Sequence, residues 1–352
     1  MKPVKFRHLA TSAVVVVASL VATSAVQATV PPAPWHLDRI NQRFGPLDGN
    51  VDLGALTGAG INVYIVDSGI RQSHEQFIGR VFAGTDPVSS TQQSQSVNPR
   101  SSDCDGHGTH VAGLATGSSV GVAKGANVIA VRVLNCEGLG TVENVVAALK
   151  WIRSHHVSGT AAVVNLSIGV DRGDNGDEID EQIQRLMDEG IVVTVAAGNG
   201  DDSGVPFNAC DISPAHVVGA LTVGASNQID QAASYSNRGP CIDLFAPGGD
   251  ASAEVLSAWK NTDTEYELDV GTSMASPLVA GYAALLAQQQ PGLCADQISQ
   301  AIVERATPHV LTGLDASTPN RLLYLDTSPV VASTPGMASH VITSVSNGSV
   351  LV

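Results

Sequence analysis

The stretch Ile61-Asn62-Val63-Tyr64-Ile65-Val66-Asp67-Ser68-Gly69 decides the fold: a short run of β-branched and aromatic residues that ends on an aspartate and a glycine turn. Such a run reads as a buried strand, with Asp67 at its carboxyl end. Three more apolar runs follow, at residues 127–134, 162–168 and 191–197, and they alternate with helical stretches near residues 142–153, 178–189 and 274–290. That rhythm marks βαβ units and an α/β fold, with a mostly parallel central sheet covered by helices on both faces. Catalytic groups in open sheets of this kind collect outside the carboxyl ends of the strands, where Asp67 stands. The 352 residues show no internal repeat, and 35 glycines with 14% charged and 4% aromatic residues suit one large enzyme domain.

The segment Gly271-Thr272-Ser273-Met274-Ala275-Ser276-Pro277 sets a lone serine between a glycine turn and a long apolar helix that Pro291 stops. Pro277 is expected in the first helical turn, which brings the helix N-terminus close to Ser273. Unpaired N–H groups and the positive dipole end then face the hydroxyl, a setting that can hold the negative oxygen of a tetrahedral intermediate. Alone, the same serine reads equally as a helix cap. The company it keeps separates the readings. Asp105-Gly106-His107-Gly108-Thr109-His110-Val111-Ala112-Gly113 places an imidazole at another helix start, with glycines expected to leave room for a substrate or for Ser273 beside the ring. A serine hydroxyl is a weak nucleophile until a base takes its proton, and the base works best when a carboxylate fixes its tautomer. Asp67, His107 and Ser273 fill those roles.

Asp67-Ser68-Gly69, His107-Gly108-Thr109-His110 and Gly271-Thr272-Ser273-Met274-Ala275 together resemble the three signature blocks of subtilisin-like serine proteases, in that family's order Asp, His, Ser. The similarity runs from Pro34-Trp35-His36-Leu37-Asp38-Arg39-Ile40 to about Asn320-Arg321-Leu322-Leu323-Tyr324 and is nearest the proteinase K and aqualysin group. It implies a subtilisin-like three-layer fold and acyl transfer through a covalent serine intermediate. Val195-Ala196-Ala197-Gly198-Asn199 matches the segment that carries the family's oxyanion-hole asparagine, so Asn199 and the Ser273 backbone N–H are the implied oxyanion donors. Without the triad, Asn199 would read as an ordinary turn residue. Ser167-Ile168-Gly169 and Gly138-Leu139-Gly140 match the two extended segments between which the family takes a peptide as an added strand. The primary pocket would lie beside Ala196, Ala197 and Gly198. The resemblance implies a broad endopeptidase that favours apolar or aromatic residues before the cut. An α/β-hydrolase esterase is excluded by the lack of a Gly-x-Ser-x-Gly elbow and by the chain order.

Lys2, Lys5 and Arg7 precede an apolar stretch from Ala13 to Ala22, and Ser24-Ala25-Val26-Gln27-Ala28 offers a cleavage site. Residues 1–28 therefore read as a signal peptide, with an uncleaved anchor as the rival that the short apolar run disfavours. The peptidase domain is assigned to residues 29–326 and a flexible or trimmed tail to 327–352. A secreted monomer with polypeptide substrates and no stable membrane association is expected. The remaining 15 Lys+Arg against 33 Asp+Glu exclude nucleic acid as a partner. Most relatives carry an inhibitory prodomain after the signal, yet only Thr29 to Pro34 stand there, so a chain without one is expected.

Five cysteines in an exported chain point to disulfides. Sequence alone leaves their pairing open; the resemblance implies Cys104 with Cys136 and Cys210 with Cys241, leaving Cys294 as a buried free thiol. Asp38, Asn41, Gln42, Asp48 and Asn50 gather oxygen-bearing side chains around Gly45, Pro46 and Gly49, which suits Ca²⁺. They resemble a calcium loop of the aqualysin-like enzymes, with Asn41 where an aspartate is usual; a polar turn that binds nothing is the plain alternative. Asp243, with the carbonyls of Val218 and Ala220, matches another family calcium site. Zinc is excluded, since no glutamate stands between histidines four apart, and His110 reads as a packed helix residue. Leu278 stands where a histidine often follows the proline, and its expected effect is on helix packing. A catalytically silent, protease-like binding protein is the alternative to an active enzyme.

Overall fold

Val63, Tyr64, Ile65 and Val66 alternate between two apolar layers, which fixes β1 (Asn62–Asp67) as the middle of the molecule. The computed structural model describes residues 34–88, 102–172, 176–201 and 203–330. After β1 come β2 (Val81–Ala83), β3 (Asn127–Arg132), β4 (Ala162–Leu166), β5 (Val170–Asp171), β6 (Val192–Ala196), β7 (Ile212–Ser213), β8 (Leu221–Ser226) and β9 (Leu244–Pro247). A hairpin of β10 (Val255–Ala258) and β11 (Tyr266–Asp269) and the short strands β12 (Thr307–Pro308) and β13 (Arg321–Leu322) complete the set. The main sheet runs β12-β13-β9-β8-β6-β4-β1-β3-β2, and every neighbouring pair is parallel except β12–β13.

Helices cover both faces, as parallel strands buried on two sides require. Val63 and Ile65 enter the core shared with α2 (His107–Thr116) and α5 (Thr272–Gln289), beside which lie α1 (Trp35–Ile40) and α6 (Ala295–Arg305). Tyr64 and Val66 enter the opposite core, under α3 (Val142–His155) and α4 (Asp177–Asp188). Leu278 is fully buried in the first core, so its side chain serves packing. Both α2 and α5 are almost wholly buried, which explains their apolar sequences without a polar face.

The chain leaves β1 toward β2 and β3 on one side and resumes at β4 on the other. Asp67 therefore ends the strand at the point where strand order reverses, the usual place for a crevice. The expected strands at 127–134 and 162–168 stop two residues early as ladders, at Arg132 and Leu166. Their apolar run continues, but residues 133–134 and 167–168 leave the sheet to build its carboxyl rim.

Two expectations are corrected. Helix α5 begins at Thr272, so Pro277 is its sixth residue and lies beyond the first turn. Cys294 is exposed, because it is the N-cap of α6, where its backbone N–H donates to Gln297 Oε1 at 3.0 Å. The pairs Cys104–Cys136 and Cys210–Cys241 are both formed, across sequence separations of 32 and 31 residues. Each adds roughly 4 kcal/mol on the chain-entropy argument. Packing continues through Val330, whose carbonyl accepts from Gln290 Nε2 at 3.0 Å. The expected signal peptide and the tail beyond 330 lie outside the described residues. No helix among the described residues is long and apolar enough to cross a membrane.

Candidate active site

Register sets the site. Val66 pairs with Leu166 in the ladder of β1 and β4, so Asp67 and Ser167 leave neighbouring strands side by side, and β6 delivers Ala197, Gly198 and Asn199 one strand further on. The Asp67 carboxylate is fully buried; Oδ1 accepts from Ser68 N at 2.7 Å, and His107 Nδ1 lies 2.8 Å from Oδ1 and 3.0 Å from Oδ2. An ionised carboxylate only accepts, so Nδ1 carries the proton and Nε2 is the basic nitrogen of the neutral ring. Burial pushes the imidazole down, but the charge and hydrogen bond of Asp67, with the charges of Asp269 and Asp105, override it and hold it up at about 9.

Gly108 needs its missing side chain for a reason the sequence did not suggest. A Cβ there would stand 2.2 Å from the Gly69 carbonyl oxygen and 3.1 Å from Asp67 Oδ1, so the space is taken by β1's own exit. Likewise, Gly106 lies against the Trp259 ring. These glycines admit the protein's backbone and an indole, where room for substrate or Ser273 was expected.

Ser273 is 5% exposed at the second position of α5, where a backbone N–H has no intrahelical acceptor. Its Oγ donates to the Ser167 carbonyl at 3.2 Å, and Ser167 Oγ donates back to the Ser273 carbonyl at 3.0 Å. Pro277 explains the second bond: it stands four residues after Ser273 and has no N–H for that carbonyl. Ser167 Oγ in turn accepts from Asn165 Nδ2 at 3.0 Å, and Asn165 Oδ1 accepts from Thr194 Oγ1 at 3.0 Å and Ser276 Oγ at 2.8 Å. One buried carboxamide thus ties β4, β6 and α5 together beneath the serine. The opposite end of the rim is fixed by Asn199, whose Oδ1 accepts from Thr272 N at 2.9 Å and Thr272 Oγ1 at 2.8 Å. With that oxygen committed, Nδ2 is the end left to donate.

Of the expected substrate segments, Ser167 and Gly169 leave β4 at this rim, while the Ile168 side chain is buried in the core under α3 and α4. Gly138, Leu139 and Gly140 close a turn after β3, with Asn135 N donating to the Leu139 carbonyl at 2.8 Å and Leu134 bridging to Gly140. Ala196 and Ala197 are buried, and Gly198 N donates to Thr272 Oγ1 at 3.1 Å. His110 is buried with Nε2 at 3.1 Å from the carbonyls of both Val255 and Glu267, a packing role as expected. Sequence reading missed Asn165, the Ser167 hydroxyl and Asp103, which stand within a few residues of the motifs or inside a segment read only for its backbone.

The expected calcium positions differ in how well they suit a hard cation. Asp38 Oδ1 and Asn41 Oδ1 are buried with no hydrogen-bond partner, two oxygens that Ca²⁺ would satisfy. Asp38 Oδ2 accepts from Gly49 N at 2.9 Å and Asp48 Oδ1 from Asn50 N at 2.8 Å, so the loop is already curled around them. Gln42 spends its amide nitrogen on the carbonyls of Phe44 and Pro46. No group of three or more His, Cys, Asp or Glu converges among the described residues, so amide and backbone oxygens would have to complete the shell. Asp243 Oδ2 accepts from Thr222 N at 2.8 Å, and burial pushes its carboxyl up to about 6, a charge a cation would restore. Val218 and Ala220 lie just before Thr222 in the same turn.

Comparison with known proteins agrees with the geometry. The model of the Subtilase family, peptidase S8, matches residues 58–323. The chain is 43% identical over 297 residues to an extracellular serine proteinase of Thermus sp. (strain Rt41A), covering 84% of this chain and 67% of that protein. It is 39% identical over 292 residues to alkaline serine exoprotease A of Vibrio alginolyticus, covering 83% of this chain and half of that protein, 50%. Among solved structures, a cold adapted subtilisin-like serine proteinase matches with a TM-score of 0.75 at 38% identity, over 84% of this chain and 100% of that one. The chain belongs to the subtilase family of serine proteases, and its α/β fold is subtilisin-like.

Proposed function

We propose that this chain is a secreted serine endopeptidase with Asp67, His107 and Ser273 as its triad. The observation that carries the reading is the buried Asp67–His107 hydrogen bond at the strand end beside Ser167, the residue to which Ser273 is clamped. Ser273 Oγ attacks the scissile carbonyl carbon as His107 Nε2 takes its proton. The carbonyl oxygen becomes an oxyanion held by Asn199 Nδ2–H and the Ser273 backbone N–H. On collapse the C–N bond breaks and His107 gives its proton to the leaving amine; water then enters by the same steps in reverse and frees the acid from Ser273. Throughout, Asp67 stays ionised and stabilises the imidazolium.

The peptide adds as a strand between residues 138–140 and 167–169, with its apolar or aromatic side chain before the cut beside Ala196, Ala197 and Gly198. Asp38 and Asn41, with Gln42, Asp48 and Asn50 around them, would hold one structural Ca²⁺, and Asp243 with the carbonyls of Val218 and Ala220 a second, which would stabilise the fold when bound. The protein acts as a monomer. A fluorophosphonate probe tests the activity against a silent, binding-only role: folded wild type labels at Ser273, and Ser273→Ala loses labelling and peptide hydrolysis by about 10⁶-fold. Unlabelled wild type would favour the binding protein.

A further inference from the structure

One carboxylate outside that mechanism takes five hydrogen bonds. Asp103 Oδ1 accepts from Ser68 Oγ at 2.9 Å, Asp105 N at 3.0 Å and Gly106 N at 2.8 Å; Oδ2 accepts from Thr109 N at 2.9 Å and Thr109 Oγ1 at 2.6 Å. Two of these partners reach onward. Ser68 Oγ also accepts from Gly108 N at 2.9 Å, and Thr109 Oγ1 accepts from Arg71 N at 2.9 Å. Residues 68–71 follow directly from Asp67, and Gly108 and Thr109 follow directly from His107. Asp103 therefore ties the exit of β1 to the entry of α2 by two separate side-chain bridges.

We infer that Asp103 is a positioning residue, which sets the Asp67–His107 hydrogen bond by locking those two segments together. The inference rests on the triad reading given above. Only an ionised carboxylate can accept all five bonds, because an amide would turn its own N–H groups toward donors. Asp103 acts through geometry, since the charges felt at the imidazole are those of Asp67 on β1, Asp269 at the end of β11 and Asp105 before α2, while burial holds His110 on α2 itself uncharged. Its removal leaves those three charges in the chain but frees the spacing between carboxylate and ring. Misplacement of a catalytic group by an ångström costs about 100-fold in rate, which sets the scale.

The test is steady-state kinetics and fluorophosphonate labelling on folded Asp103→Asn. Its kcat is expected to fall about 100-fold, with KM moving no more than about twofold and the acid limb of kcat/KM shifting to lower pH as the ring loses its aspartate bond. In the Asp67→Asn background the same substitution is expected to cost no more than about twofold, because both changes act through one contact. Equal losses in the two backgrounds, or an unmoved acid limb, would overturn the inference. If Asp103→Asn does not fold, Thr109→Val and Thr109→Ser replace it: Val is expected to lower kcat, and Ser, which keeps the bridging hydroxyl, to recover it. Loss with both, or with neither, counts against the idea. Wild type that fails to label would sink the triad reading itself, whereas labelled wild type with an equally fast Asp103→Asn removes this inference alone.

Discussion

The His107 ring feels two opposed effects, and their balance predicts its pH behaviour. Burial alone would push the imidazole below 6.5, and the charge and hydrogen bond of Asp67, with the charges of Asp269 and Asp105, together outweigh it. As the proposed base, His107 would work when neutral, so activity is expected to rise with pH through its pKa, with the acid limb of kcat/KM between 6.5 and about 9. In Asp67→Asn the largest counterweight is gone while burial remains, opposed only by Asp269 and Asp105, so the limb moves to lower pH while kcat falls on the order of 10⁴-fold. A limb that stays in place would show that Asp67 does not govern the ring. The pairing of Asp67 with His107 was legible because the proposed chemistry asks for a base beside a carboxylate, each in a recognisable turn. The crowding at Gly108 was not, because a glycine in a motif does not say which atoms occupy its missing side chain.

At the scale of elements, helix α5 carries Ser273, the proposed nucleophile, and needs an anchor where Pro277 interrupts its hydrogen bonds. Ser167 supplies it, and Asn165 holds Ser167 while bonding Thr194 on β6 and Ser276 on α5. Asn165→Ala removes no apolar surface of consequence but leaves three hydroxyl groups short of a partner in a buried site. Stability is expected to drop about 2–4 kcal/mol, read from the urea midpoint at constant m-value. A change within about 0.5 kcal/mol would mean the network is slack. The four strands at the middle of the sheet, β6, β4, β1 and β3, and helices α3, α4 and α5 were readable from apolar runs and turn residues, and their alternation predicted a parallel sheet. Where the ladders end was not readable, since Val133, Leu134 and Ile168 are as apolar as the paired residues before them. Only the neighbouring strand's length decides that. The same limit explains Cys294: its place at a helix cap depends on where α6 begins, which the composition around it does not announce.

Across the whole molecule, two cores on opposite faces of one sheet meet few constraints at the periphery, where the chain runs through turns rich in Asp, Asn and Gly. Two disulfides tie part of it: Cys104 precedes His107 by three residues, and Cys210 lies in a short 3-10 turn, Ala209–Asp211, beyond Asn199. The loop at residues 41–50 has no such tie, and beside it Asp38 Oδ1 and Asn41 Oδ1 are buried without a hydrogen-bond partner, where the proposed Ca²⁺ would bind. Binding to the folded state alone stabilises by RT ln(1 + [L]/Kd), about 2.7 kcal/mol at a hundredfold excess over Kd. Removing Ca²⁺ with excess chelator is therefore expected to lower the melting temperature by about 5 °C, at about 2 °C per kcal/mol for a domain of this size. The measurement belongs on Ser273→Ala, so that self-digestion does not shape the scan. Asp38→Ala and Asp243→Ala then apportion the effect, each removing the part of the chelator shift that its own site supplies. A melting curve unchanged by chelator would leave Asp38 Oδ1 and Asn41 Oδ1 to be satisfied by water, and the loop would be a polar turn that binds no metal.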